Sequence, residues 1–407
     1  MAEVNGMPNV KTCMVLAEEG MAVHSQTGWG SLKKLEQGVG IPLPELPVIP
    51  TEIAIVGAGP AGLSAARAAS QFGARVAVFD ENNIVGGQLI KQTHKFFGSK
   101  KQHASVRGID ISDALLSGLK NQIQLFTETP VIGFYAPFQL AAIHRRKLHR
   151  VVPNKIIVAT GASENMLAFP NNDLPGIHGA GAAQTLMNVY GILPGKRVLM
   201  VGAGNIGAIV TYQLLQAGVE VAAVIEAAPQ IGAYQVHASK IRKCGVPVLT
   251  RHTLKAALGN DRVEGAVVVQ VDNTWNPIPG TERHFQVDTI CLAVGLRPTI
   301  ELLSQMHCRM SNIPELGGEV PWRNQWMETS VENVYVAGDA SGIEEASSAM
   351  LEGTLAGLDA AEKLLGPSET LSIFKRETSQ DLAELRAGPF GEKIRIGEKK
   401  LFGEKES

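Results

Sequence analysis

The stretch Gly57-Ala58-Gly59-Pro60-Ala61-Gly62 decides the fold of this chain. It follows a short apolar run at 53–56 and opens a helix-like, alanine-rich segment. In such a pattern the first glycine permits a tight turn, the second lets the backbone approach a pyrophosphate, and the third lets the helix pack closely on the strand. The next apolar run ends at Asp80, 23 residues after Gly57, where an acid can accept hydrogen bonds from a ribose. The stretch therefore predicts a βαβ unit that binds a dinucleotide.

A second copy of the pattern lies about 145 residues further on, at Gly202-Ala203-Gly204-Asn205-Ile206-Gly207. Its following strand ends at Glu226, 24 residues after Gly202. One such pattern is a weak signal, but two in full context predict two dinucleotide sites and electron transfer between their cofactors. A carboxylate at position 226 favours a ribose 2′-hydroxyl and repels a 2′-phosphate, and no arginine follows at 227–229. We therefore expect NAD rather than NADP at the second site.

Composition is that of an ordinary globular protein of two or three domains. The 407 residues are 45% hydrophobic and 19% charged, with a formal net charge of −2. That balance gives no reason to expect nucleic-acid or membrane-surface binding, and no apolar run approaches the ~20 residues of a membrane span. The N-terminus lacks a basic segment followed by an apolar one, so a cytoplasmic location is expected.

The cysteines and histidines do not form a recognisable catalytic pattern. Cys13, Cys244, Cys291 and Cys308 include no CxxC pair and no zinc-site spacing, so neither thiol–disulfide chemistry nor a metal site is expected. The histidines are scattered, and no residue stands out as a required acid or base. The catalytic residues therefore remain unknown at this level.

The order of segments predicts an α/β protein with two Rossmann-like domains, the second nucleotide-binding domain inserted in the first. A helix is expected at about 109–125 and another at about 346–365. The Lys-, Glu- and Gly-rich end, 391–407, is expected to be a solvated tail; the alternative is a docking arm that binds a partner. The expected boundaries are 1–50 for an extended N-terminal segment, 51–170 and 289–366 for the two parts of the first nucleotide-binding domain, 171–288 for the second, and 367–407 for a C-terminal tail. The resemblance described next makes the first of these the FAD domain and the second the NAD domain.

Together these features resemble the two-dinucleotide-binding flavoproteins, the relatives of thioredoxin reductase and glutathione reductase. The resemblance covers about 51–366 and also rests on Gly86-Gly87-Gln88, Ala159-Thr160-Gly161 and Ala337-Gly338-Asp339. It implies FAD at the first site, with Asp80 on the adenosine ribose and Asp339 on the ribityl or pyrophosphate region, and NAD at the second.

The cofactor-binding residues expected from the two patterns and the resemblance form two groups. The first group, for FAD, is Gly57, Gly59, Pro60, Ala61, Gly62, Asp80, Glu81, Gly87, Gln88, Thr160, Gly161, Gly338 and Asp339. The second group, for NAD, is Gly202, Gly204, Asn205, Ile206, Gly207, Glu226 and Gly295.

A narrower resemblance rests on 171–177 (Asn-Asn-Asp-Leu-Pro-Gly-Ile), 187–190 and the N-terminal segments 8–13 and 18–21. These segments look like the α subunits of heterotetrameric sarcosine oxidases, dye-linked proline dehydrogenases, opine oxidases and hydrogen cyanide synthases. In that family a β subunit with its own FAD oxidises the amine, and the α subunit passes the electrons on. The ferredoxin-like and cysteine-rich parts of many such subunits are expected to come from a small iron–sulfur subunit here.

Three functions remain open from the sequence. The first is an electron-transfer subunit of an amine or amino-acid dehydrogenase complex. The second is a free-standing NADH-dependent flavin reductase that passes electrons to ferredoxin, quinone or a dye. The third is a scaffold that binds ATP or NAD without redox chemistry.

Overall fold

The computed structural model describes residues 2–26, 45–96, 101, 103–117, 119 and 122–403, which fall into two compact units, 1–46 and 47–407. The first unit contains an antiparallel sheet in the order β2-β1-β3, built from β1 (Ala2–Val4), β2 (Met7–Val10) and β3 (Val23–Ser25). The extended segment expected at 1–50 thus contains paired strands in its described part.

A five-stranded parallel sheet forms the core of the first Rossmann-like domain. Its order is β24-β11-β5-β6-β7, so the order reverses between β5 and β11, where a crevice opens at the carboxyl ends of the strands. All four residues of β5 and of β11 are buried, as expected for a sheet covered on both faces. The strands are β5 (Ile53–Val56), β6 (Val76–Phe79), β7 (Ile123–Phe126), β11 (Lys155–Val158) and β24 (Val334–Val336).

Two helices pack tightly together on one face of this sheet. They are α1 (Pro60–Gln71) and α7 (Ala346–Leu365), and α2 (Gly108–Leu116) packs beside α1. A Cβ on Gly353 or Gly357 of α7 would overlap backbone carbonyls of α1, so both positions require glycine. The helix α7 matches the expected 346–365, but α2 ends at Leu116 and residues 123–126 form strand β7, so the helix expected at 109–125 was too long. Ile123 and Leu125 pack against the core as strand residues, which an apolar pattern alone did not separate from a helix.

The second Rossmann-like domain repeats this plan with the parallel order β13-β20-β14-β15-β16. Since β11 and β24 of the first sheet lie on either side of it in the chain, this domain is inserted in the first, as expected. Its strands are β13 (Ile177–Gly179), β14 (Arg197–Val201), β15 (Glu220–Glu226), β16 (Val248–Thr250) and β20 (Thr289–Leu292), with helices α3 (Ala180–Asn188), α4 (Asn205–Gln216) and α5 (Gln235–Lys243).

Four smaller sheets complete the second unit, with helix α6 (Glu301–Gln305). The antiparallel pair β12 (Ala162–Glu164) and β21 (Leu296–Pro298) carries the chain into and out of the inserted domain. The remaining strands are β4 (Val48–Pro50), β8 (Val131–Tyr135), β9 (Gln139–His144) and β10 (Lys147–Val152) in one sheet, β17 (His252–Leu258), β18 (Gly265–Gln270) and β19 (Arg283–Phe285) in another, and β22 (Met310–Ile313) with β23 (Gly318–Pro321).

The C-terminal segment is helical, so the solvated tail expected from its composition was wrong for the described residues. Helix α8 (Glu369–Ala387) starts at Ser368, whose Oγ accepts a hydrogen bond from Leu371 N at 3.1 Å, and α9 (Glu392–Gly403) follows. Ile394 and Leu401 are buried against the β22–β23 sheet region. Within 391–403 the charged residues are exposed or form ion pairs, as Glu398 does with Arg386 and Lys400 with Glu315. No helix in the described ranges is long and apolar enough to cross a membrane.

Candidate nucleotide-binding sites

The first glycine pattern forms a tight turn at the crevice between β5 and β11. Gly57 has φ +103°, and its N donates to the carbonyl oxygen of Phe79 at 2.8 Å. A Cβ on Gly57 would overlap the carbonyl oxygen of Ala159, and a Cβ on Gly62 would overlap that of Gly57. Only glycine fits these two positions, because the helix start and both strands meet there without room for a side chain.

Asp80 holds the turn from the end of β6. Its Oδ2 accepts from Ala58 N at 2.7 Å, its Oδ1 accepts from Asn82 N at 2.8 Å, and the residue is 7% exposed. A carboxylate has about four acceptor positions, so it can fix these backbone N–H groups and still accept a ribose hydroxyl. The adjacent Glu81 is exposed.

The loop after Asp80 brings a second glycine backbone against the first pattern. Gly86 N donates to the carbonyl oxygen of Ala58 at 2.8 Å, and Gly87, at φ +54°, has its Cα 3.8 Å from the position of a Cβ on Gly59. Helix α1 begins at Pro60 without any side-chain cap, so its first N–H groups are available to an anion. Two side-chain-free backbones beside an uncapped helix start fit the pyrophosphate of a dinucleotide.

The turn after β24 lies against the start of α1. A Cβ on Gly338 would be 2.9 Å from Ala61 Cβ, which places Asp339 beside the same cradle. Burial raises the pKa of Asp339 to about 7, although its Oδ1 accepts from Glu344 N at 3.3 Å. A buried carboxyl with one long hydrogen bond is suited to accept a ligand hydroxyl.

A buried ionic cluster of Glu352, Arg386 and Arg323 lies behind this turn and bonds to its backbone. Glu352 of α7 is 3% exposed, and its Oε2 accepts from Gly338 N at 2.9 Å and from Ser341 Oγ at 2.6 Å. Its Oε1 accepts from Nη2 of Arg386 at 2.6 Å and of Arg323 at 3.3 Å. Burial alone would raise the pKa of Glu352, but the two arginine charges outweigh it and the pKa lies below its usual value.

Arg386 connects this cluster to the C-terminal helices. It lies on α8, pairs with Glu344 at 2.5 Å, and donates through Nη1 to Glu398 of α9 at 2.8 Å. The helices of 369–403 therefore contact the backbone of the Gly338 turn through one intervening carboxylate. Nothing in the sequence pattern pointed to Glu352 or Arg386, because their side-chain partners are 11 or more residues away in the chain.

The second glycine pattern reproduces the geometry of the first. Gly202 also has φ +103°, its N donates to the carbonyl oxygen of Ile225 at 2.8 Å, and its Cβ would overlap the carbonyl oxygen of Ala293. A Cβ on Gly207 would overlap the carbonyl oxygen of Gly202. Helix α4, like α1, begins without a side-chain cap.

Glu226 makes the same pair of bonds as Asp80. Its Oε2 accepts from Ala203 N at 2.8 Å and its Oε1 from Ala228 N at 2.9 Å. Asn205 at the helix start accepts through Oδ1 from Tyr234 N at 2.8 Å, while Ile206 is exposed. Asn205 therefore ties the loop after the acid to the helix, as part of the cradle wall.

Gly232 completes the second cradle and was missed from the sequence. A Cβ on Gly232 would be 3.8 Å from Gly204 Cα, and the next residue, Ala233, donates to the carbonyl oxygen of Ala203 at 2.9 Å. This matches Gly87 opposite Gly59. The available signal was a glycine six residues after Glu226, close to the seven that separate Gly87 from Asp80.

Four other expected residues lie around these cradles with different environments. Thr160 Oγ1 donates to the carbonyl oxygen of Thr299 at 2.7 Å, and Gly161 accepts from Thr299 N at 3.0 Å, so both belong to the connection between the domains. Gly295, at φ +113°, accepts from Asn165 N at 3.0 Å in the same connection. The side chain of Gln88 is exposed.

The positions of the cysteines do not favour thiol chemistry. Cys291 and Cys308 are buried, and burial raises the pKa of both thiols, that of Cys291 to about 12. Cys13 and Cys244 are exposed and free. Among the described residues no three His, Cys, Asp or Glu side chains are grouped as metal ligands.

The fold and the paired cradles define an oxidoreductase with two dinucleotide sites, one in each Rossmann-like domain. The chain belongs to the pyridine nucleotide-disulphide oxidoreductase family, whose model matches residues 51–353. This membership confirms the expected fold, the oxidoreductase class, and FAD with a nicotinamide dinucleotide as cofactors.

Similarity to individual proteins agrees with the narrower resemblance. The alpha subunit of sarcosine oxidase from Corynebacterium sp. (strain P-1) is 30% identical over 76% of this chain and 32% of its own length. An opine oxidase subunit from Agrobacterium tumefaciens (strain Ach5) is 26% identical over 83% of this chain and 71% of its own length. The chain spans about a third of the length of the sarcosine oxidase subunits it matches. These relatives are subunits of multisubunit enzymes.

Solved structures support the fold. L-proline dehydrogenase from P. horikoshii aligns with a TM-score of 0.64 at 21% identity, over 93% of this chain and 66% of that one. Thioredoxin reductase of T. acidophilum aligns with a TM-score of 0.65 at 21% identity, over 78% and 99%.

Proposed function

We propose that this chain is the electron-transfer subunit of an amine or amino-acid dehydrogenase complex, with FAD in the first cradle and NAD in the second. The observation that carries the proposal is the pair of equivalent glycine cradles in a chain whose described residues offer no reactive thiol pair. Without such a pair, electrons exchanged between the two dinucleotides would pass to a partner subunit rather than to a disulfide of this chain. The names of the curated relatives supply the amine or amino-acid substrate class.

In the first cradle the residues would bind and orient FAD. The N–H groups at the start of α1 would face the pyrophosphate, Asp80 and Glu81 the adenosine ribose, and Asp339 a hydroxyl of the ribityl chain. Bound FAD supplies hydride and single-electron chemistry, and the protein supplies its position and its surrounding charge. No side chain of the cradle is assigned as an acid or base.

In the second cradle the residues would select the nucleotide. Glu226 accepts two backbone N–H groups, so its charge is fixed at the edge of the site, where it favours two ribose hydroxyls and repels a phosphate. The proposed partners are a second subunit with its own FAD, which oxidises the amine, and a small iron–sulfur subunit.

The test is an absorbance spectrum of the purified chain, followed by anaerobic addition of NADH or NADPH. We expect flavin bands that NADH bleaches and NADPH bleaches poorly, and no bleaching by free amines or amino acids. The variant Glu226→Ser should lower the preference for NADH about tenfold, which corresponds to ~1.4 kcal/mol, while Glu220→Ser, at the exposed start of the same strand, should not change it.

Three outcomes would contradict the proposal. Rapid NADH turnover with ferredoxin, quinone or a dye, without any partner, would favour a free-standing flavin reductase. Bands that NADH does not bleach would remove NAD from the second cradle. A chain that takes up no flavin but binds ATP would favour a scaffold.

A further inference from the structure

A cavity of about 460 Å³ lies apart from both glycine cradles. It is bounded by the loop residues 93–95, by the outer face of α4 and by α5. None of the pattern glycines, nor Glu226 or Gly232, lines it. The cavity is therefore a candidate site for a ligand other than the two dinucleotides.

The lining of this cavity is basic at one side and apolar at the other. His94, Lys95, His237 and Lys240 line it, and no acidic residue does. Lys240 Nζ lies 5.2 Å from the centre of the Tyr212 ring. The nearby acid Glu345 accepts a hydrogen bond from Tyr234 OH at 2.5 Å, and the Tyr234 ring stacks on His237, so Glu345 is held outside the lining.

His94 lines this space beside His237. Its ring stacks on Phe96 at 5.8 Å and meets His237 edge-on at 6.2 Å. Its Nδ1 is buried and has no hydrogen-bond partner among the described residues. Burial, together with the charges of His237 and Lys240, lowers the pKa of His94 to about 4.

The apolar side comes from the two helices. Ala208, Ile209 and Val236 line it together with the ring of Tyr212. The volume lies in the range of small-molecule pockets, about 300–1,000 Å³, which typically combine an apolar lining with a few polar groups. Lys95 and Lys240 give the polar end of such a pocket a preference for negative charge. The pKa values of His94 and His237 are lowered, so these two side chains are neutral at pH 7.5 and contribute hydrogen bonds rather than charge.

We propose that this cavity binds a small organic carboxylate, with the carboxylate near Lys240 and His94 and the apolar body against Ile209 and Val236. The loop that carries His94 is joined to the inserted domain by Gln213 Nε2, which donates to Thr93 Oγ1 at 2.9 Å. A ligand here contacts both domains at once. The site does not depend on the proposed electron-transfer role.

The experiment is calorimetric titration of the FAD-loaded chain at pH 7.5 with NAD at saturation, so that neither dinucleotide cradle is available. The probes are benzoate, inorganic phosphate and benzylamine. We expect saturable one-site binding of benzoate, weaker binding of phosphate, which lacks an apolar body, and none of benzylamine. Lys240→Met should weaken benzoate about tenfold, or ~1.4 kcal/mol, while Lys243→Met, on the same helix but outside the lining, should bind like the parent chain.

A second variant keeps the test decisive if Lys240→Met does not fold. Val236 is 39% exposed at the cavity wall, so Val236→Trp should fill the space, abolish benzoate binding and leave the flavin spectrum unchanged. Benzoate should also raise the pKa of His94 in an NMR titration. The proposal is overturned if benzoate does not saturate, if Lys240→Met and Lys243→Met bind alike, or if phosphate and benzoate bind equally.

Discussion

The two glycine cradles share one local design but differ in what supports them. In both, an acid at a strand end accepts an N–H from the residue between the first two glycines, at 2.7 Å for Asp80 and 2.8 Å for Glu226. In both, a second glycine backbone faces the middle glycine of the pattern. A Cβ on Gly87 would lie 2.8 Å from Gly59 Cα, and a Cβ on Gly232 would lie 3.8 Å from Gly204 Cα, so the two backbones are closer in the first cradle. The local design is thus repeated with a small difference in spacing.

The support behind the cradles is different. Behind the first lie α7, packed on α1 through Gly353 and Gly357, and the buried cluster of Glu352 and Arg386. Behind the second, α4 packs against α3 and α5, and its far face lines the basic cavity. The comparison teaches that a shared motif fixes the ligand class, whereas distant residues provide the support behind each cradle. The buried support behind the first cradle suits the resident flavin proposed there.

The largest effect is expected from breaking the cluster behind the first cradle. Glu352→Gln removes the charge that two buried arginines share, although Glu398 still pairs with both of them and Glu344 with Arg386. Removing one partner of a buried pair costs about 3–5 kcal/mol, and the remaining acids reduce that loss. The free energy of unfolding should fall by up to that amount, and FAD should bind more weakly because a neutral amide oxygen is a weaker acceptor for Gly338 N and Ser341 Oγ than a carboxylate. Urea denaturation and flavin release measure the two effects.

The control for this change is a surface pair in the inserted domain. Arg197 and Glu220 lie 2.8 Å apart with both side chains well exposed, so Glu220→Gln should cost under about 1 kcal/mol. Equal losses in the two variants would mean that the buried cluster does not distinguish the two sites.

Much of this comparison could be predicted from the sequence. The rest could not, and the reasons are physical. The glycines, both acids and the inserted order follow from local patterns, because tight turns and strand ends impose their residue types directly. Arg386 and Glu398 were assigned to a tail, because their contribution to stability comes from ion pairs that only folding brings together. The strand at 123–126 was predicted to be helix, because a run of four residues is too short to separate the period of a helix from that of a strand. Gly232 was missed because it faces Gly204 only after folding brings the two backbones to opposite sides of the cradle.

A pH-dependent effect should appear at the first cradle. Since burial raises the pKa of Asp339 from 3.8 to about 7, the folded chain without cofactor binds a proton there that the unfolded chain releases. Stability from this group is complete below pH ~4 and is lost as pH rises through about 7, a difference of ~4 kcal/mol at most. Asp339→Asn should remove this dependence, so its stability relative to the parent chain should increase between pH 4 and 8.

Thermal unfolding of the FAD-free chain and of the variant, followed at a series of pH values, tests this directly. Parallel curves for the two proteins across that range would show that Asp339 titrates normally. The variant should also bind FAD more weakly, because an amide is a poorer acceptor for a ligand hydroxyl than a carboxylate.

The smallest change tests whether the two cradles really are equivalent. Gly59 and Gly204 have φ of −78° and −75°, which any residue adopts, and an added Cβ would meet no atom closer than 3.8 Å. Gly59→Ala and Gly204→Ala should therefore fold like the parent chain while placing a methyl group where the pyrophosphate would approach. We expect about a hundredfold weaker FAD binding in the first variant and about a hundredfold weaker NADH binding in the second, each ~2.7 kcal/mol. Gly388→Ala, at φ −73° in open space, is the matched control and should change neither. If Gly204→Ala instead lowers FAD affinity and spares NADH, the assignment of the two cofactors to the two cradles is reversed, because the methyl group can act only on the ligand that passes it.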